Sequence, residues 1–186
     1  MQRVAPPRWG RIDLDIDGTA AGTWFLAGTM GYTGHRIESF RGTERPAGGV
    51  VPGKKTYAWS HLAIVRHVVQ PGRWMFSTGW WSDSAGDPVQ LMLIGPNGQP
   101  EPSALTAASD TMVYELWSWI DGPRPPGGSY SPLPIDYFVN PVALRGLVAM
   151  RVNADRSLTM EIVPMADGQG RPSFAGFSQA SRTYRR

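Results

Sequence analysis

Two side chains in the sequence have the chemical types that general acid–base catalysis requires. His61 follows Ser60 at the start of an apolar run, and an imidazole that points from there into a barrel would act as a base near neutral pH. Glu115 lies between Val113 and Trp117, and it would be a buried acid if it faced inward with them. We interpret both as structural residues and keep the pair as the candidates for an enzyme.

Three aspartates, Asp13, Asp15 and Asp17, alternate along the chain ahead of Gly18 and resemble the first half of a calcium loop. Such carboxylates converge on a hard cation when the chain curls, and glycine permits the sharp turn. Trp24 stands where the loop needs its bidentate glutamate. The residues between the aspartates are apolar, so we favour an amphipathic strand, with calcium as the alternative. We predict no other metal and no cofactor.

Tryptophan is the other chemical resource, because the chain has eight of them. An indole buries a large apolar face while its N–H fixes orientation, which suits a flat apolar or aromatic ligand. The alternative is that these rings simply fill the core. The predicted ligand-binding residues are Trp59, Trp74, Trp80, Trp117 and Tyr130.

The elements that position these residues are predicted to be strands. The chain has 22 Gly and 17 Pro, spread throughout, and the runs between them are rich in β-branched and aromatic residues. No helical periodicity persists without a Gly or Pro interrupting it. This pattern predicts an all-β fold of about eight to ten strands, either one antiparallel barrel or a two-sheet sandwich.

The clearest element is a hairpin over residues 142–163. Its predicted inward residues are Leu144, Val148, Met150 and Val152 against Leu158, Met160 and Ile162, and its predicted outward residues are Arg145, Arg151, Thr159 and Glu161. A last strand is predicted over residues 173–184. We assign residues 1–10 to an extended arm and 11–186 to a single barrel domain, with long loops at residues 41–55 and 121–136.

Gly22-Thr23-Trp24, at the start of a long strand, resembles the lipocalin (calycin) signature. In that family the Trp closes one end of the barrel and an Arg just beyond the last strand packs across its ring. The resemblance therefore implies a lipocalin-like barrel with Arg182 or Arg185 over Trp24. A guanidinium over an indole combines cation–π attraction with burial of the stem. The family's central Thr-Asp-Tyr segment and its helix after the barrel have no counterpart in the sequence.

The composition limits the classes of partner that we expect this chain to bind. The net charge is +3, and the arginines are scattered rather than arranged as a face that could follow phosphates, so we expect no nucleic acid. No apolar run has the ~20 residues of a membrane helix. The chain has no Cys, which excludes disulfides and thiolate chemistry. A periplasmic or secreted location is our expectation.

The leading functional hypothesis is a non-catalytic module that takes an apolar or aromatic small ligand in a barrel, with the two long loops framing the mouth. One alternative is an accessory subunit that docks onto a larger protein assembly through its Pro-rich arms. Another is a small barrel enzyme, a cyclase, isomerase or hydrolase, that uses His61 with Glu115.

Overall fold

The computed structural model describes residues 15–28, 61–67, 70–78, 91–95, 99–118, 140–165, 168 and 170–186. Within these ranges the chain forms eight strands and one short 3-10 helix, Pro102–Ala104. The strands are β1 Gly22–Leu26, β2 His61–Arg66, β3 Trp74–Thr78, β4 Leu91–Ile94, β5 Met112–Ser118, β6 Ala143–Val152, β7 Leu158–Pro164 and β8 Arg182–Arg185.

Each strand pairs antiparallel with the next, and β8 pairs with β1, so the sheet closes into a barrel. The predicted all-β fold is confirmed, and of its two forms the barrel is the one adopted. Residues 1–14, the predicted arm among them, and the predicted loops at 41–55 and 121–136 lie outside the described residues. No helix in the described part of the chain is long and apolar enough to span a bilayer.

The barrel interior is filled by alternate residues of each strand, as a pleated sheet with one apolar face requires. The β6–β7 hairpin confirms most of its predicted pattern. Its inward-facing core residues are Val148, Met150, Val152, Leu158, Met160 and Ile162.

Leu144 is the exception in this hairpin, and its predicted inward orientation is wrong. The register between β5 and β6 shifts, so that Leu116 pairs with Gly146 but Trp117 pairs with Leu144. This bulge leaves Arg145 as an extra residue and moves Leu144 to the outer face, beside Trp117.

Residues 170–181, here called the outer strap, cross the outside of the barrel rather than extending the last strand as predicted. Arg171 forms an ion pair with Glu115 on β5, with 2.7 Å between Nη2 and Oε1. Ser178 donates two hydrogen bonds to Glu161 on β7, from its backbone N–H at 2.6 Å and its hydroxyl at 2.7 Å. Glu161 faces outward as predicted, yet only 7% of its surface is exposed because the strap covers it.

One end of the barrel, here called the closed end, is covered by residues 15–21 and by the β4–β5 connection. The backbone N–H of Ala20 donates to the Leu105 carbonyl at 3.0 Å, and Thr19 forms a β-bridge with Thr106. Ala20, Ala21 and Leu105 belong to the core. The end of β2, the start of β3 and the β6–β7 turn lie at this end too.

Candidate functional site

Trp24 and Arg186 organise the closed end. Trp24 is 1% exposed, and its indole N–H donates to the Ala20 carbonyl at 2.9 Å. The Cζ atom of Arg186 lies 4.1 Å from the centre of the Trp24 ring system. The same guanidinium donates to the carbonyl oxygens of Ile16, at 3.0 Å, of Thr19, at 3.1 Å, and of Ala21. The arrangement joins the segment before β1 to the residue after β8.

The resemblance placed an arginine over Trp24 correctly but chose the wrong residue. Arg185 pairs with Phe25 on the outer face and contacts Asp155 at 3.1 Å. Arg182 pairs with Met160, and four positions along a strand separate it from Arg186 by ~13 Å. Of these three arginines, only Arg186, immediately after β8, both faces the barrel interior and lies opposite Trp24.

Gly22, the first residue of the Gly-x-Trp motif, is required by this packing. Its φ is +137°, and a Cβ there would come within 2.3 Å of the Asp15 carboxylate and 2.7 Å of the Arg186 guanidinium. The missing side chain therefore makes room for the arginine and for the closing segment.

A second feature of this end is a pocket of about 270 Å³ between the starts of β3 and β5 and the β4–β5 connection. It is here called the Trp74 pocket. Its lining residues are Gly72, Arg73, Trp74, Ile94, Gly95, Gln99, Pro100, Glu101, Pro102 and Tyr114. The aromatic and aliphatic bodies of Trp74, Ile94 and Tyr114 form its inner wall, and the exposed Gln99, Pro100 and Glu101 lie at its rim.

Trp74 and Tyr114 are buried polar aromatics, with 5% and 1% of their surfaces exposed. Within the described residues, neither the Trp74 indole nitrogen nor the Tyr114 hydroxyl has a hydrogen-bond partner. Such an unpaired group costs about 1–3 kcal/mol, and native proteins rarely leave one without a reason. Burial also raises the pKa of the Tyr114 hydroxyl to about 12.

Arg66 lies next to the pocket, against two of its lining residues. Its Cζ lies 4.5 Å from the centre of the Trp74 ring, its side chain donates to the Pro71 carbonyl at 2.6 Å, and it pairs with Glu101. Glu101 also accepts a hydrogen bond from Ser103 at 3.3 Å. These contacts hold the indole between a cation on one face and the barrel interior on the other.

Trp74 and Trp117, the two predicted ligand-binding tryptophans that the structure describes, are not brought together. Trp74 lines the pocket, whereas Trp117 lies on the outer face with Val65, Met75 and Leu93. Its indole N–H donates to Glu115 at 3.0 Å. Trp59, Trp80 and Tyr130 lie outside the described residues.

The candidate acid–base residues are separated as well. Leu62 and Ile64 occupy the interior face of β2, so His61 faces outward and packs against Phe25, with 6.3 Å between ring centres. The idea that His61 points into the barrel is therefore wrong. Burial in this outer contact lowers the pKa of His61.

Glu115 faces outward, as we favoured, and β3 and β4 lie between its strand and that of His61. Three strand spacings amount to roughly 14 Å around the sheet, too far for a direct proton relay between the two side chains.

The two described aspartates of the alternative calcium site have other contacts. Asp15 accepts a hydrogen bond from the Thr23 backbone at 2.5 Å, and Asp17 pairs with Arg156 at 3.0 Å. Neither lies in a strand, so the amphipathic strand proposed for them does not extend over the two described members. Asp13 lies outside the described residues, and those residues hold no group of three acidic, His or Cys side chains arranged for a metal.

Tyr114 and Arg66 are the site residues that the sequence reasoning missed. Met112, Tyr114 and Leu116 alternate by two residues, so the sequence places the Tyr114 hydroxyl on the same face as two apolar side chains. This alternation could have identified Tyr114 as a buried polar residue. The chain matches no family model, no curated protein and no solved structure.

Proposed function

We propose that this chain is a non-catalytic, lipocalin-like binding module that holds a small apolar or aromatic ligand in the Trp74 pocket. The observation that carries the proposal is the burial of the Trp74 nitrogen and the Tyr114 hydroxyl without partners beside one pocket. Binding pockets combine apolar walls with a few polar groups, and the rings of Trp74 and Tyr114 both belong to the lining of this pocket.

The closed end supports the lipocalin-like part of the proposal. A Gly-x-Trp motif opens β1, and the arginine after β8 stacks on its tryptophan, which are the two features that the family resemblance implies. A fold resemblance by itself does not carry a ligand, so the binding function depends on the pocket.

The volume of the pocket limits the ligand. About 270 Å³ lies just below the range of roughly 300–1,000 Å³ that is usual for drug-sized ligands. We therefore expect a body of one or two fused rings, or an aliphatic group of similar volume, in contact with Ile94 and the Trp74 ring.

The test is calorimetric titration of the full chain with 2-acetylnaphthalene, with the pocket open or blocked. Gln99→Trp places an indole at the exposed rim, where it should obstruct entry without altering the core. Ala108→Trp adds the same side chain to an exposed site on the same connection, away from the pocket.

We expect saturable one-site binding by the parent and by Ala108→Trp, with affinity at least about tenfold lower in Gln99→Trp, a change of about 1.4 kcal/mol. Absence of saturable binding by the parent, or equal affinity in all three proteins, would contradict the proposal.

A further inference from the structure

We infer that the ligand of the Trp74 pocket carries one carboxylate on its apolar or aromatic body, and that this carboxylate pairs with Arg73. The inference rests on the proposed function and adds the charge and the chemical class of the ligand. The observation that carries it is the balance of charged side chains around the pocket.

Two charged residues belong to the lining of the pocket, Arg73 and Glu101. The carboxylate of Glu101 is already engaged by protein donors. Arg66 pairs with it through both terminal nitrogens, with 3.5 Å between Nη1 and Oε1, and the Ser103 hydroxyl donates to it at 3.3 Å. A cationic ligand would have to compete with these charge-assisted contacts, so Glu101 does not favour one.

Arg73, in contrast, forms no ion pair within the described residues. Its guanidinium donates one hydrogen bond there, from Nη2 to the Asn140 Oδ1 at 3.5 Å, which is the outer limit of such a contact. A guanidinium has five N–H donors, so most of them remain available to a ligand. Four other described arginines already pair with carboxylates, namely Arg66, Arg156, Arg171 and Arg185.

The charges around the pocket leave a surplus of one positive charge, because Arg66 and Arg73 are opposed by Glu101 alone among these side chains. Arg73 is half-buried, so salt screens its charge less than that of an exposed arginine. One carboxylate balances this surplus, and its two oxygens match the fork of a guanidinium.

The chain places this cation next to the apolar wall of the pocket. Arg73 immediately precedes Trp74, and Trp74 pairs with Ile94 across β3 and β4. A ligand whose ring packs on Trp74 and Ile94 therefore carries its substituent within reach of the long Arg73 side chain. An apolar wall beside one charged group is the combination that fixes the orientation of a small ligand.

The experiment measures the affinity ratio of two probes by equilibrium dialysis. 2-Naphthoate and 2-acetylnaphthalene have nearly the same shape and the same number of heavy atoms, but only the first is an anion. The ratio is determined in the parent, in Arg73→Gln, in Arg73→Lys and in Arg151→Gln. A change in pocket shape affects both probes and largely cancels in the ratio.

We expect the parent to bind 2-naphthoate at least about tenfold more tightly than the ketone, and Arg73→Gln to lower this ratio about tenfold. Arg73→Lys should retain part of the preference, because it keeps the charge and loses the fork. Arg151→Gln is the control and should leave the ratio unchanged, because Arg151 is exposed on β6 and contacts Asn153 and Phe177. 2-Naphthyl phosphate, with a second negative charge, should bind no more tightly than 2-naphthoate.

The failures are distinguishable. If the parent binds neither probe, the proposed function and this inference are both overturned. If it binds both probes equally, or if Arg73→Gln leaves the ratio unchanged, the pocket binds ligands but the carboxylate inference is wrong. Tighter binding of 2-naphthyl phosphate than of 2-naphthoate would overturn the single negative charge.

Discussion

Arg186 lies across the Trp24 ring at 4.1 Å while donating hydrogen bonds to three carbonyl groups of the segment that precedes β1. One side chain thus performs two tasks, because it covers an aromatic face and satisfies backbone acceptors at the closed end. Its effect on stability should exceed that of an ordinary surface arginine.

Replacing Arg186 with Met should lower the free energy of unfolding by about 1–3 kcal/mol, since the stem's packing is kept while the cation–π contact and the donated hydrogen bonds are lost. Arg185→Met is the matched control, because among the described residues its side chain forms an exposed pair with Asp155, and its loss should be nearly neutral. Urea denaturation measures both, and equal effects would show that the stack contributes nothing special.

Gly22→Ala should be more destabilising than Gly28→Ala, although both glycines have positive φ. A Cβ at Gly28 meets nothing within 4 Å, whereas one at Gly22 would overlap Asp15 and Arg186. Gly28→Ala, the control, should therefore lose only about 1–2 kcal/mol from its backbone conformation. Gly22→Ala should lose a similar amount and, in addition, the energy of the steric overlap. Similar thermal midpoints for the two variants would contradict the packing of the closing segment against Gly22.

The buried hydroxyl of Tyr114 predicts a loss of stability in alkali. Its pKa is raised from 10.0 to about 12 in the folded protein, so the unfolded chain releases the proton first as pH rises. Stability should be constant with respect to this group below pH 10 and fall between pH 10 and about 12, by roughly 2–3 kcal/mol. Denaturation across that range, compared with Tyr114→Phe, isolates the effect, and identical slopes would refute it.

Glu161→Ala should loosen the outer strap. The carboxylate accepts two hydrogen bonds from Ser178 and is buried under the strap, so its removal leaves those donors without their acceptor. Chymotrypsin cleavage near Phe174 and Phe177 should accelerate several-fold under native conditions. Asp110→Ala, at an exposed carboxylate on another connection, serves as the control and should leave the cleavage rate unchanged.

Local pattern was sufficient to predict most of the fold. The alternation in β6 and β7 identified six core residues because a hairpin with one buried face allows only one register. The orientation of Leu144 was not predictable, since the bulge that moves it depends on how β5 pairs with β6. Likewise the outer strap reads as a strand in sequence, and only its contacts with Glu115 and Glu161 hold it outside the sheet.

The candidate site was less accessible to sequence reasoning. Trp74 was predicted to bind a ligand, but no local pattern indicates that it and Tyr114 line one pocket. Trp74 lies on β3 and Tyr114 on β5, so β4 and its two connections separate them along the chain. The inward orientation of His61 that the enzyme alternative needed is not adopted, and a single histidine at the start of a strand carries no information about which face it occupies. Arg182 and Arg185 were named in place of Arg186, since the position that reaches Trp24 depends on the pairing of β8 with β1.

The pairing of β1 with β8 also determines when the barrel can close during synthesis. β1 is made before the other seven described strands, yet one of its two neighbours is β8, which is the last of them in chain order. Until then β1 and β7 each have an exposed edge, which is a template for pairing with another chain. Ring closure is thus a contact between segments far apart in sequence, and we expect it to be the slow step of folding.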